Sequence, residues 1–369
     1  MPDTAAPTSG STHPLSAFWQ QHAFSLGGID FLQIDVALAA MVFGEWARFE
    51  RRLTEGLACV ARATAEDLPV PQAAIDESAI AFRYERNLIS GAEITEWLTR
   101  VGISAEAWMA FVTRGVYRES WRDDLEDILD RYGPSPRQLQ DAALAEGICS
   151  GLFDEFEESF SGKAATTYDM DAAPFQSRAL MSMSHGDAAA RLARQHGHWM
   201  DLCTGGVDTI DRLRVLLEIK DRYCAAVGKL VAQSALLEVI EANRIEWVVL
   251  DTDTLSFADE SAAREALLCV SEDRLSLADV GALSRHRIIR TRGFLDDVLP
   301  EHRHRLLAAE PGCVVGPLSV DGRFHVTTVT NRAVPTLDDE QVAERARAAL
   351  LEQTARRTAR EHVKRRRPA

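Results

Sequence analysis

The chain has 369 residues, 46% of them hydrophobic and 26% charged, and a formal net charge of −15. That length accommodates two or three domains with a substantial core, and the composition is ordinary for a globular protein. The negative charge argues against nucleic acid as a partner, because phosphates demand cationic faces.

Residues 1–16 are rich in Pro, Thr and Ser and contain Asp3. They predict a disordered start, without the basic stretch and short apolar run of a secretory peptide. The nearest apolar run, Val36 to Phe43, is far short of a membrane span, so no membrane partner and a cytoplasmic location are expected. The six cysteines, at 59, 149, 203, 224, 269 and 313, have no paired spacing and read as reduced, buried thiols.

Residues 17–161 read as a helical domain. From Phe31 to Ala61, apolar residues including Ile34, Leu38, Met41, Val42, Trp46, Phe49, Leu53 and Leu57 recur at helical spacing. Pro69 and Pro71 end that stretch, and residues 72–89 predict a second helix. Ser90 with Glu93 forms a capping box for a third, Gly102 stops it, and Ser104 caps a fourth carrying Trp108, Phe111, Val112 and Tyr117. The acidic runs Arg122 to Asp130 and Asp154 to Glu158 read as solvated helix faces that could also attract a basic peptide.

Residues 162–205 read as a linker or irregular segment, since Gly162 to Ala173 is small and polar. His185, His196, His198 and Cys203 raise the question of a metal. Residues 196 and 198 would face different directions on a helix, and no second cysteine stands at ligand spacing, so neither metal nor cofactor is expected. Residues 206–242 predict connecting helices with an apolar face that includes Leu213, Leu216, Leu217, Ile219 and Tyr223. Nothing in the chain matches a phosphate loop, a Ser-His-Asp nucleophile setting or a dinucleotide fingerprint.

The most informative stretch is Gly312 to Asn331, GCVVGPLSVDGRFHVTTVTN. Asp321-Gly322 between two β-rich runs predicts a tight hairpin, because glycine tolerates the positive φ of a primed turn. The strand after it puts Phe324, Val326 and Thr328 on one face and His325, Thr327 and Val329 on the other. If the Phe324 face packs on a helix, His325 points to the opposite side. Beyond it, residues 334–369 predict a helix over 337–362, capped by Thr336 and Asp339, and a solvated basic tail from Lys364 to Arg367. The helix stripe of Val342, Ala346, Ala349 and Leu350 needs a partner groove.

This hairpin resembles the closing one of parvulin-type prolyl isomerases. Upstream, IEWVVLDTD (Ile245 to Asp253) is similar to that family's first strand, and Ser261 to Leu268 to the helix after it. LPEHRHRLLAAEPGCVVGP (Leu299 to Pro317) follows its pattern of short helix, Pro-Gly, and strand ending in Gly-Pro. The resemblance covers roughly residues 240 to 355 and, by pattern only, the helical region before it. It implies an α+β fold: a helical, chaperone-like N-terminal part, a parvulin-like domain over 243–333, and a C-terminal helix returning to the helical part. The domain would have about four strands wrapped by helices.

The resemblance also implies a proline-binding cavity lined by Trp247, Phe294, Leu299, His302 and His325, with His325 as the catalytic residue. Trp247 stands where the family has its first histidine, and His302 where it has a cavity phenylalanine. The glycine-rich segment is reduced to Arg292-Gly293-Phe294. Prolyl isomerisation lowers a barrier of about 18–20 kcal/mol by gripping the twisted amide, so losing the polar set should remove much of the rate. Two functions are therefore expected in alternative. One is a cytoplasmic peptide-binding chaperone for an unfolded or precursor peptide, most similar to relatives associated with maturation of ribosomally made peptides. The other is an active prolyl isomerase. Oligomeric state and client identity are not legible.

Overall fold

The computed structural model describes residues 14–172, 175, 185–201 and 207–365. The fold is α+β, dominated by helices, with two antiparallel sheets of two and four strands. The chain divides into two compact units, Met1–Val227 with Thr354–Ala369, and Gly228–Gln353.

The first unit opens with α1 (Pro14–Trp19) and a hairpin of β1 (His22–Leu26) and β2 (Ile29–Leu32). Helices follow: α2 (Gln33–Phe43), α3 (Trp46–Glu66), α4 (Gln72–Glu85), α5 (Gly91–Val101), α6 (Ala105–Ser120), α7 (Leu125–Tyr132), α8 (Pro136–Cys149) and α9 (Leu152–Met170). Then come α10 (Gly186–Gln195), α11 (Gly197–Met200) and α12, which begins at Val207 and ends at Leu230. The apolar residues predicted at helical spacing from Ile34 to Leu53 are buried. The predicted single helix from Phe31 is instead a strand end and two helices, because Gly44 takes a φ of 82° that ends α2. Ser90 and Ser104 cap α5 and α6 as expected.

Three expectations for this unit are corrected. The predicted disordered start ends earlier than Ser16: Leu15 and Ser16 are buried in α1, while residues 1–13 lie outside the described residues. The segment from Gly162, read as a loop, is the second half of α9 as far as Met170. Its small residues serve packing, since a side chain on Gly162 would stand 2.9 Å from Ala355 Cβ, and Thr166 shares a hydrogen bond of 3.2 Å with Thr358. The first half of the basic tail is not free in solvent: Lys364 exchanges backbone hydrogen bonds with Ser25 on β1, and Arg365 reaches Ser161 Oγ at 3.2 Å, while Arg366 and Arg367 lie outside the described residues. Of the cysteines, Cys59 and Cys149 are buried as expected, Cys224 and Cys313 are exposed, and Cys203 is outside the described residues.

The second unit begins with α13 (Gln233–Ala242) and β3 (Val249–Phe257), then α14 (Glu260–Ser271), α15 (Leu277–Ser284) and β4 (Ile289–Phe294). It continues with α16 (Pro300–Ala308), β5 (Val314–Val320), β6 (Arg323–Ala333) and the start of α17 (Glu340–His362). All pairings in its sheet are antiparallel, in the order β4-β3-β6-β5. Asp321 and Gly322 both have positive φ, 49° and 73°, as a primed turn requires. Asp339 caps α17 by accepting from Gln341 N–H at 3.0 Å. Among the described residues, no single helix is long and apolar enough to cross a membrane.

Inside the first unit, Glu146 on α8 is 3% exposed and takes two arginines, Arg114 at 3.1 Å and Arg52 at 2.7 Å. Two charges taken out of water are tolerable only when paired, and removing one partner strands the other. Glu146→Ala should therefore cost about 3 kcal/mol in urea unfolding. A loss under about 0.5 kcal/mol, the range of a surface change, would show that the cluster is not desolvated in solution.

Candidate functional site

The site is built by the alternation of β3 and β6. Phe324 and Val326 face one side, where Leu255, Phe257, Ala263 and Ala266 cover them from β3 and α14. His325, Thr327 and Val329 face the other, where α16 covers only part of the sheet through Leu306, packed with Leu318, Val315 and Val329. His325 is half-buried on that side, opposite Ser256 of β3 and Leu318 of β5.

A row of hydroxyl groups continues from His325 across the same face. Thr327 and Thr254 share a hydrogen bond of 2.9 Å, and Thr252 and Thr291 one of 2.7 Å. Arg323 donates to Ser256 Oγ at 2.7 Å. The strand alternation that placed His325 also places these hydroxyls, so the signal for them was in DTDTLSF and VTTVT, although only the histidine was singled out.

The five residues expected to line one cavity are distributed over both faces. His302, at 9% exposure, stands on α16 one turn before Leu306, and its Nε2–H donates to Ser319 O at 2.9 Å. Leu299 precedes α16 and is exposed. Trp247 and Phe294 are on the face opposite His325, packed with Val249, Leu236, Val239, Ile240, Val342 and Ala346. Arg345 lies over both rings, 4.3 Å from the Phe294 centroid and 5.7 Å from that of Trp247, and pairs with Asp296 at 2.6 Å. Trp247 thus fills the back of the sheet and leaves the histidine face without a second imidazole from β3.

Burial pushes the His325 imidazole below its ordinary value; Arg323 acts in the same direction, Asp321 opposes it, and His302 adds to the lowering. An imidazole held neutral near pH 7 can both donate and accept a hydrogen bond. Elsewhere, His185 sits against Glu218 and Asp221 at 3.3 and 3.4 Å, and His198 against Glu50 at 3.3 Å. These contacts are carboxylate pairs from separate parts of the unit. Asp169, Glu361 and His362 come together at the surface, where Arg357 also occupies Asp169 at 3.3 Å.

Compared with protein-family models, with curated proteins and with solved structures, the chain matches none.

The lowered His325 value has a sign for stability. The unfolded imidazole takes its proton near pH 6.5, before the folded one does. The contribution to stability is fully present above that unfolded value and is lost as pH falls through the lowered folded value. The His325 ring should titrate below about 6.5 by proton NMR, and His325→Gln should flatten part of the stability loss on acidification. A midpoint above about 6.5 would contradict the half-buried setting.

Proposed function

We propose that the unit Gly228–Gln353 is a parvulin-related peptide-binding module that takes an extended segment of an unfolded or precursor peptide on the His325 face, with little prolyl-isomerase activity. The observation that carries this is the half-buried His325 on the incompletely covered face of a four-stranded antiparallel sheet. The element order supports the same reading: strand, helices, strand, short helix, then two strands joined by a tight turn, as the sequence resemblance implies.

The reading of weak catalysis follows from what surrounds the histidine. The neighbouring threonines satisfy one another, and His302 is committed to a main-chain carbonyl. Few polar groups are left poised for the nitrogen or oxygen of a twisting amide, and interactions stronger in the transition state than in the ground state are what acceleration requires. Binding makes no such demand, since hydroxyls, an imidazole and flanking apolar groups can hold a peptide in its ground state. A second reading, an active isomerase with His325 polarising the amide environment, is favoured by the lowered value of that imidazole.

One preparation of the full chain decides between them. A fluorescent, proline-containing unfolded peptide should bind, and His325→Ala should weaken it about fivefold or more. A protease-coupled assay on Ala-Xaa-Pro-Phe anilides should stay at the uncatalysed rate, about 10–100 s per exchange. Turnover that disappears in His325→Ala would establish the isomerase instead, and absence of both binding and turnover would end both readings.

A further inference from the structure

The four-stranded sheet has two edges, and they differ. At the β5 edge α16 acts as a strap: His302 donates to Ser319 O at 2.9 Å, and Arg305 to Gly316 O at 2.6 Å and Pro317 O at 3.3 Å. Side chains thereby occupy carbonyls that an incoming strand would need. At the β4 edge, Ile289, Arg290, Thr291 and Arg292 are all exposed. Among the described residues, the main chain from Ile289 to Gly293 pairs with β3 alone.

The direction of the free groups follows from the ladder. Leu295 N–H donates to Val248 O at 2.9 Å, so by antiparallel alternation Gly293, Thr291 and Ile289 turn their backbone groups toward β3. Arg292 and Arg290 turn theirs outward. The end of this row is closed where Phe294 N–H donates to Asp297 Oδ2 at 3.2 Å. An exposed row of this kind is a template for another strand.

Charge selects which strand. In a chain of net charge −15, the eight residues Arg285 to Arg292 contain four arginines and no carboxylate. Arg292 is neutralised by Asp251 and Asp339. Arg290 meets Asp253 only at 3.5 Å, with its side chain 81% exposed, and Arg285 and Arg287 are exposed with no ion pair among the described residues. A second copy pairing β4 on β4 would set arginine against arginine, and like charges directly opposite destabilise a sheet. An acidic strand meets the reverse situation.

We propose that the β4 edge binds an acidic, extended peptide as a fifth strand. Main-chain bonds form to Arg290 and Arg292, and the peptide's carboxylates lie against the guanidinium groups of Arg285, Arg287 and Arg290. Ile289 and Thr291 point to the His325 face, so alternate peptide side chains lie beside it. This rests on the reading of the unit as a peptide binder and names the class of peptide and the contact it uses.

The test is fluorescence anisotropy with the full chain and two labelled probes, Gly-Glu-Val-Glu-Val-Glu-Val-Gly and its lysine counterpart. The acidic probe should bind about tenfold tighter or more, and more weakly as salt rises. Arg290→Pro removes an outward N–H and a charge at a position where an edge strand tolerates proline, and Arg290→Gln removes the charge alone. The first should weaken the acidic probe more than the second does. The surface pair Arg285→Glu with Arg287→Glu should erase the preference, and it serves if the proline variant fails to fold. Equal affinity for the two probes would overturn the proposal, as would indifference to Arg290→Pro, or a concentration-dependent dimer that Arg290→Pro abolishes. The probes contain no proline and the variants are off the His325 strand, so failure of the proline-peptide experiment and failure of this one are separate results.

Discussion

The antiparallel pairing of β3 with β6 determines where His325 and the hydroxyl groups beside it point. Ser256 and Arg323, hydrogen-bonded across it, are 67 residues apart in the chain, so the pairing closes a long loop at an entropic cost that local contacts alone cannot offset. Its register is specified from both faces. Phe257 and Leu255 must meet Phe324 and Val326 under α14, while Thr254 must meet Thr327 on the other side. A slip of one residue would turn His325 into the apolar layer and Val326 outward, which two-sided burial makes costly. The bulge between Asp251 and Thr252 lets the same strands serve two cores on one face, one around Phe257 and one around Val249.

That second core explains what Trp247 does at a position where the sequence resemblance implies a histidine. A polar ring there would enter a cluster of Val249, Ile240, Val342 and Ala346 and would need a hydrogen-bond partner. Tryptophan fills the volume, and Arg345 stacks over it and Phe294 while its charge meets Asp296 and Asp297. Trp247 joins β3 to the C-terminal helix by packing. Its consequence for chemistry is felt on the opposite face, where His325 is left with hydroxyl neighbours.

Much of this was legible because it depends on short-range rules. The caps at Ser90 and Ser104, the Asp321-Gly322 turn and the two faces of β6 follow from residue type and period, and the structure agrees. The misreadings occur where tertiary contact decides. Thr166 and Thr167 bond the carbonyls of Gly162 and Lys163 within α9, which makes a small, polar stretch helical once Ala355 and Thr358 pack on it. The β1–β2 hairpin went unrecognised because Phe24 and Phe31 are held by Phe160, more than a hundred residues away and invisible to a local pattern. The dispersal of Trp247 and Phe294 from His325 likewise follows from which helix covers which face, a property that spacing does not encode.

His302 links the site to the sheet's edges. As an apolar wall it would leave the Ser319 carbonyl of the outermost strand to solvent. As an imidazole it donates to that carbonyl and, with Arg305 on the Pro317 and Gly316 carbonyls, closes the β5 edge against pairing. A group spent in this way is held by the sheet edge and cannot also turn toward the open face. The polar surfaces that remain open on this unit are the Thr252–Thr291 end of the hydroxyl row and the uncovered main chain of β4. Groups of that kind are extended and repeat every second residue, and it is this spacing that the proposed binding of a chain segment rests on, in preference to the distortion of a single peptide bond.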